Sequence, residues 1–335
     1  MTNEWTLSTN PCSSKEKLIV GVSGGSDSLG LLLLLMEKFP NAPKRVLVGH
    51  VNYGLRGRES LKDEGLVRQF CETNGLSFRI LRIKNFKGRV QRENRSLQDL
   101  AREIRYSFFQ KLTQKEKAWG VAVAHHREDQ AETVLDRLLR GAGPRGLTGL
   151  RAVQIFKFSG KSQSLKVWRP LLGYGKKQIQ DFLVSRQIPW REDRTNQKND
   201  YRRNQIRNQV LPFLKKWNPR IDEVLARVGE ISAAEDFFLE EASKTLEKKL
   251  KSRTAKKTFS WSVSEFEKIP LALQRRWARH AAEKLTDKAR GLSFDRIEEM
   301  IRLWKGFEKG PRDLGFGLKA GRNQTQAFLR LDKIK

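Results

Sequence analysis

The feature that most limits what this chain can become is the run Ser23-Gly24-Gly25-Ser26-Asp27-Ser28. It directly follows the apolar stretch Leu18–Val22 and directly precedes a leucine-rich segment that begins at Leu29. A buried strand, a glycine turn and a helix start, in that order, make an anion site. The first N–H groups of a helix have no internal partners, and the helix dipole favours negative charge there. Gly24 and Gly25 permit a tight turn and close approach of backbone to phosphate. Ser23, Ser26 and Ser28 add hydroxyl donors, and Asp27 is placed to hold a magnesium ion beside a triphosphate. An ordinary helix cap needs only one such polar residue. The common Gly-x-x-x-x-Gly-Lys-Ser/Thr loop is absent, as is Gly-x-Gly-x-x-Gly. A serine-rich loop without lysine suits a pyrophosphate that stays bound while the α-phosphorus is attacked.

Around this loop, apolar runs alternate with helical periodicity. Leu18–Val22, Val46–Val51, Phe78–Ile83 and Gly120–Ala124 read as strands, and Val167–Arg169 as a fifth. Ser26–Phe39, Glu59–Asn74, Ser96–Gln114, Glu128–Leu139 and Lys176–Ser185 read as helices. Such alternation predicts a doubly wound parallel α/β sheet covered on both faces. After Pro189 the texture changes to a polar loop, then a basic helix over Tyr201–Leu214. Asn218-Pro219 reads as a linker, which gives an α/β domain over 1–217 and a mainly helical domain over 218–335. In the second, Ile221–Lys251, Val263–Ile269, Ala272–Leu285 and Ser293–Trp304 read as helices. A hairpin around Gly321-Arg322-Asn323 joins the strand-like runs Leu314–Leu318 and Ala327–Leu331.

Charge narrows the partners. The chain has 335 residues, with 67 Lys and Arg against 38 Asp and Glu, a net charge of +29. Such an excess favours polyanions. Arg137–Gln180 is the densest stretch, with ten basic residues and no acid; solvated faces usually intersperse acids, so this one points to nucleic acid. The polar N-terminus lacks the apolar core of a signal peptide, and Leu29–Met36 is too short to span a bilayer. A soluble cytoplasmic protein with no membrane partner is expected. Monomer and homodimer both stay open.

The loop resembles the pyrophosphate loop of the N-type ATP pyrophosphatases, which adenylate a substrate oxygen and then displace AMP with a nucleophile. Further segments resemble one branch of them, the tRNA(Ile)-lysidine synthases. These are His50-Val51-Asn52-Tyr53-Gly54-Leu55-Arg56, Ala101-Arg102-Glu103-Ile104-Arg105-Tyr106, Ala124-His125-His126-Arg127-Glu128-Asp129-Gln130-Ala131-Glu132-Thr133 and Leu138-Leu139-Arg140-Gly141. Arg169-Pro170-Leu171-Leu172, Trp190-x-x-Asp193 and Tyr201-x-Arg203-Asn204-x-Ile206-Arg207 continue the likeness, which covers 18–214. Three departures stand out: Tyr53 replaces a usual His, Glu128 a usual Asp, and Arg194-Thr195 interrupts a pattern that retains Asn196.

The resemblance implies ATP and Mg2+ at Ser23, Gly24, Gly25, Ser26, Asp27 and Ser28, with Asp27 on the metal and His50, Arg56 and His125 as further ATP contacts. It implies a tRNA(Ile) with a CAU anticodon as substrate, contacted by Arg102, Arg203 and Arg207. It also implies that Asp129 and Glu132 recognise L-lysine. The residues agree with this last role, since i and i+3 on a helix put both carboxylates on one face, where they can hold an ammonium group. Asp27, Asp129 and Glu132 are the candidate catalytic set. A tRNA-thiolating enzyme would share the loop but needs a reactive cysteine. The two cysteines, Cys12 and Cys71, form no CxxC pair and lie away from every motif, so both read as inert.

Overall fold

The computed structural model describes residues 10–13, 15–158, 164–191, 202–255, 257–286, 291–308 and 310–332. The chain divides into two compact units, Met1–Ala233 and Ala234–Lys335. Asn218-Pro219 lies upstream of that division.

The first unit alternates strands and helices in the expected order. Its elements are β1 (Leu18–Gly21), α1 (Ser26–Lys38), α2 (Ala42–Arg45), β2 (Val46–Asn52), α3 (Arg58–Thr73), β3 (Ser77–Arg82), α4 (Phe86–Glu93) and α5 (Leu97–Lys115). They are followed by β4 (Val121–Ala122), α6 (Arg127–Leu139), α7 (Pro144–Leu147), β5 (Val153–Lys157), β6 (Ser164–Trp168) and α8 (Lys176–Ser185). The sheet order is β3-β2-β1-β4-β6-β5. The first five strands in that order are parallel, while β5 runs antiparallel to β6 at the edge.

Successive side chains of β1 enter opposite layers, as the pleat requires. Leu18 and Val20 join Leu29, Leu32, Ile179 and Phe182 on one face, and Ile19 joins Tyr106, Phe109 and Leu112 on the other. Both faces are thus buried, which is why these strands read as near-continuous apolar runs. Gly30 lets α8 close on α1, since a Cβ there would stand 2.4 Å from Ile179 Cγ2. The strand order reverses between β1 and β4, and the crevice beyond the carboxyl ends of two such strands is where open α/β sheets bind ligands.

Glu64 of α3 ties that helix to β2 and β3. It is 5% exposed and accepts from Asn52 Nδ2 at 3.0 Å and Arg82 Nε at 3.0 Å, with Arg68 at 3.3 Å. Hydrogen bonding to Arg82, helped by Asn52 and Arg68, pulls its pKa from 4.5 down to about 2 despite burial. A depressed carboxyl stabilises the fold above its ordinary value, and that stabilisation is lost as pH falls from 4.5 through about 2. Arg82 and Arg68 are more than a third exposed, so solvent screening limits the effect. Glu64→Gln should cost about 1–2 kcal/mol at neutral pH and less at pH 3. Urea unfolding at both pH values checks this; an equal loss at each would reject the charge-based account.

Beyond α8, the expected basic helix is built in three turns: α9 (Arg202–Gln205), a π-helical turn over Ile206–Val210, and α10 (Leu211–Lys215). Pro212 has no N–H to donate back into the turn before it, and a widened turn accommodates that loss. Asp193, Arg194, Thr195, Asn196 and Tyr201 lie outside the described residues. Helix α11 (Ile221–Lys244) contains the boundary between the units.

The second unit is mainly helical, as its sequence suggests, and adds strands that the sequence did not announce. Besides α12 (Leu246–Lys249), α13 (Val263–Glu267), α14 (Leu271–Leu285) and α15 (Phe294–Trp304), it holds a five-stranded antiparallel sheet in the order β7-β8-β11-β10-β9. Those strands are β7 (Arg253–Ala255), β8 (Thr258–Ser262), β9 (Arg312–Asp313), β10 (Leu318–Arg322) and β11 (Gln326–Leu331). The expected hairpin exists, but its first strand starts where Leu314–Leu318 was expected to end. Gly315, Phe316 and Gly317 take φ of 80°, 56° and 76°, which no strand tolerates. Buried Trp261, Trp277 and Trp304 make the core, with Trp261 edge-on to Trp304 at 4.6 Å and to Trp277 at 5.6 Å. Among the described residues, no helix is long and apolar enough to cross a membrane.

Candidate active site

The glycine-serine run forms the turn from β1 into α1. Gly24 has φ +95°, a left-handed conformation that favours glycine. Gly25 occupies the cap position of α1 and brings no side chain to its first-turn N–H groups. Ser28 fastens the turn by donating from Oγ to the Gly25 carbonyl at 3.0 Å and accepting from Ser23 N at 3.1 Å. With its own proton so committed, Ser28 Oγ accepts from Ser23 Oγ, 3.2 Å away. Arg191 N donates to the Gly24 carbonyl at 3.2 Å, and its guanidinium pairs with Asp63 at 2.7 Å and with Glu59. The outcome is a braced, anion-attracting turn.

Beside it opens a cavity of about 230 Å³, lined among others by Ser23, Asp27, Tyr53, Arg105, Tyr106 and His125. It lies at the reversal of strand order, between the segments that follow β1 and β4. His50 is not among its lining residues. That ring is 3% exposed, and its Nδ1 lies 2.8 Å from the Val22 carbonyl. Burial pushes its pKa down, so the neutral ring donates from Nδ1 and anchors the strand end behind the turn.

Past β4, His125 and His126 take different roles. His125 is half-buried at the cavity, with Nδ1 accepting from Arg169 Nε at 3.3 Å. Burial pushes its pKa down to about 3, so it stays neutral. His126 is 4% exposed and caps α6. Its Nδ1 lies 2.9 Å from Glu128, and its Nε2 lies 3.6 Å from Asp27 and 3.5 Å from Asp129. Burial opposes charge on this ring, but the carboxylates of Asp27, Glu128 and Asp129 prevail and push its pKa up to about 10. The sequence reading singled out His125 and passed over His126; the adjacent pair of histidines at a strand end was the available signal.

Asp129 and Glu132 share one face of α6 as expected, 8% and 1% exposed. Two guanidiniums meet them. Arg203 reaches Asp129 at 2.8 Å and Glu132 at 2.8 Å, while Arg207 reaches Asp129 at 3.1 Å and also pairs with Glu132. Burial opposes ionisation of Asp129, but His126 and Arg203 hold its pKa at about 2. Asp27, Glu128, Asp129 and Glu132 thus face His126, Arg203 and Arg207, four carboxylates against three cations. Arg105, which lines the same cavity, and Arg169, which holds His125, add positive charge close by.

Residues 2–214 match the PP-loop domain family. The chain belongs to the PP-loop family. It is 33% identical over 316 residues to the tRNA(Ile)-lysidine synthase of Bacillus cereus, covering 93% of this chain and 65% of that protein. It is 34% identical to the protein of the same description from Geobacter sulfurreducens, over 86% of this chain and 59% of the other. The Solibacter usitatus relative, also a tRNA(Ile)-lysidine synthase, is 35% identical, with coverages of 87% and 62%. The chain therefore spans between about half and two thirds of the length of these tRNA(Ile)-lysidine synthases. Among solved structures, the U34-tRNA thiolase NcsA of Methanococcus maripaludis shares the fold, at a TM-score of 0.53 and 20% identity over 67% of this chain and 75% of that one.

Within this PP-loop unit the remaining candidate residues are dispersed. Arg56 pairs with Asp63, the carboxylate that also takes Arg191, so it braces the same corner as the phosphate turn. Arg102 lies on α5 with its guanidinium 5.1 Å from the Tyr106 ring and 5.6 Å from that of Phe156. Arg105 and Tyr106, from the same PP-loop segment, line the cavity and had been assigned no role from sequence. Arg169, fully buried, is fixed by the Arg151 carbonyl at 2.7 Å and Gln154 Oε1 at 3.1 Å and holds His125 in turn.

Proposed function

We propose that this chain joins L-lysine to the wobble cytidine of a tRNA(Ile) with a CAU anticodon, using ATP and releasing AMP and pyrophosphate. The observation that carries this reading is the buried carboxylate pair Asp129 and Glu132, linked through His126 to Asp27 in the glycine-serine turn. An enzyme that adenylates one substrate and then delivers an ammonium-bearing nucleophile needs those two sites side by side. Relatives at 33–35% identity that carry the name tRNA(Ile)-lysidine synthase support the same substrate pair.

In this reading the turn Ser23–Ser28 and the first N–H groups of α1 hold the departing pyrophosphate. Asp27 would hold Mg2+ through its carboxylate, and the ion would neutralise phosphate charge there. The cytidine 2-carbonyl oxygen attacks the α-phosphorus and pyrophosphate leaves. The lysine ammonium, brought in by Asp129 and Glu132, gives up a proton to this carboxylate pair; the free amine attacks C2 of the cytidine, AMP leaves with the bond electrons, and the nitrogen's remaining extra proton passes to solvent. The modified base pairs with A rather than G, which changes the tRNA from methionine to isoleucine identity. Positioning and charge neutralisation supply most of the catalysis. His125, kept neutral, contacts the nucleotide. Arg203 and Arg207 fill the acidic pocket until lysine enters, then turn to substrate phosphate. The stretch Arg137–Gln180 and residues 218–335 hold the tRNA, and the protein works in the cytoplasm.

Thiolation by the same fold finds no thiol to use. Cys12 and Cys71 are buried, and burial pushes the Cys71 thiol up to about 12. The test is incubation with labelled lysine, ATP and total bacterial tRNA. Label is expected in one isoleucine tRNA, with AMP formed in equal amount, and the double replacement of Cys12 and Cys71 by Ala should retain full activity. Unlabelled tRNA alongside ATP cleavage would remove lysine from the account.

A further inference from the structure

A second, larger hollow of about 570 Å³ opens on the same unit, and Tyr106 lines both it and the cavity beside the phosphate turn. Half-buried Phe156 and Phe158 give it aromatic surface, while Tyr106 is only 3% exposed. Tyr106 and Phe156 stack at 4.8 Å with 23° between their planes, and Phe158 extends the surface. Arg102 covers both stacked rings, while Asp99 and Glu103 stand at the exposed rim. Asp99 accepts from Ser96 Oγ at 2.6 Å, and Glu103 pairs with Arg95 at 2.6 Å, so both carboxylates are held in place as acceptors.

Flat aromatic rings, a planar guanidinium and fixed rim acceptors are the chemistry that receives an unpaired nucleobase. Stacking holds the base face, while carboxylates accept from an exocyclic amine. The strand that supplies Phe156, β5, is the antiparallel edge of the sheet and is not needed to build the phosphate turn. We infer that this hollow is a second base subsite, which takes the unpaired anticodon base next to the cytidine that reacts in the adjoining cavity. The middle base of a CAU anticodon is adenine, whose amine faces the rim acceptors. The inference rests on the tRNA reading given above. Two neighbouring bases splayed into two hollows with a shared tyrosine wall would fix the cytidine against the α-phosphorus. A stacked loop could not present it that way.

The test is a double-mutant cycle between protein and RNA, read as KM for tRNA with ATP and lysine saturating. Phe156→Ala, and separately a tRNA made abasic at the middle anticodon position, are each expected to raise KM about ten-fold, within the range for loss of one base–aromatic stack. Combined, they should raise it no further than either alone. Phe156→Tyr, which keeps the ring, should stay near the wild-type KM, and this separates loss of stacking from damage to the fold. Penalties that multiply would overturn the subsite. So would a rise in the KM for ATP rather than for tRNA, because the occupant would then be the adenine of ATP. If the wild-type protein adds no lysine to any tRNA, the failure belongs to the parent reading instead.

Discussion

Replacing Glu132 with Gln is expected to lower lysine transfer about 1,000-fold while tRNA-dependent release of pyrophosphate from ATP falls less than about ten-fold. The side chain keeps its shape and loses only its charge. The face of α6 then presents one carboxylate, Asp129, rather than two to an incoming ammonium. Glu132 is 1% exposed, so water cannot make good the difference. Arg203 and Arg207 are 41% and 34% exposed and can turn outward, which limits the cost to the fold. Far-UV circular dichroism should therefore match the wild type. In the proposed reaction, pyrophosphate release comes before the amine attacks and draws on the turn at the other end of the network, away from Glu132. The two half-reactions thus separate. Equal loss in both, or an unchanged KM for lysine, would remove Glu132 from amine binding.

That network shows where sequence reading stops. The two acids were legible because three residues of helix bring them to one face, and the phosphate turn was legible because strand, glycines and helix are contiguous. Arg203 and Arg207 were legible as a basic pair four residues apart. Their partners lie in α6, far away in the chain, and nothing local announces that the basic pair turns inward onto the acidic one. His126 escaped for a related reason. Two adjacent histidines after a strand must point to different surroundings, and only the fold shows which of them meets Asp27 and Asp129.

In the fold, the strands buried on both faces announced themselves as apolar runs, and the order of the first unit followed. The edge strand β5 did not. Gln154 breaks its apolar character, and Ile155 is 58% exposed, as an edge strand permits. In the second unit β8 reads Thr-Phe-Ser-Trp-Ser with Phe259 and Trp261 buried, a period-two pattern too short to stand out between helical segments. Its partner β7 is exposed throughout and carries no hydrophobic signal. A sheet assembled from such strands is fixed by pairing across the chain, which composition along it does not encode.

Replacing Asp27 with Asn tests the other end of the network. A carboxylate in the first turn of α1 stands where phosphate is meant to bind, and by itself it repels the ligand that the turn attracts. It lines the cavity at 31% exposure, Ser26 Oγ donates to it at 3.3 Å, and charged His126 lies 3.6 Å away. Among the described residues no group of three or more His, Cys, Asp or Glu side chains forms a metal cage, so a bound Mg2+ would share one carboxylate with phosphate oxygens. Two opposite effects of Asp27→Asn follow. With metal removed by EDTA, nucleotide should bind the variant more tightly, by about three- to ten-fold, because the repulsion is gone. With Mg2+ present, pyrophosphate release should fall about 100- to 1,000-fold, and the Mg2+ concentration for half-maximal rate should rise. Calorimetric titration of ATP with and without Mg2+, beside a pyrophosphate assay, reads both. If Asp27 served only as a helix cap, neither quantity would depend on the metal, and the variant would lose a little stability and no rate. A variant that binds better without metal, reacts worse with it and needs more Mg2+ for its half-maximal rate marks a carboxylate that acts through a cation. In that case the turn and the acidic network form one electrostatic device, with His126 as the charge between them.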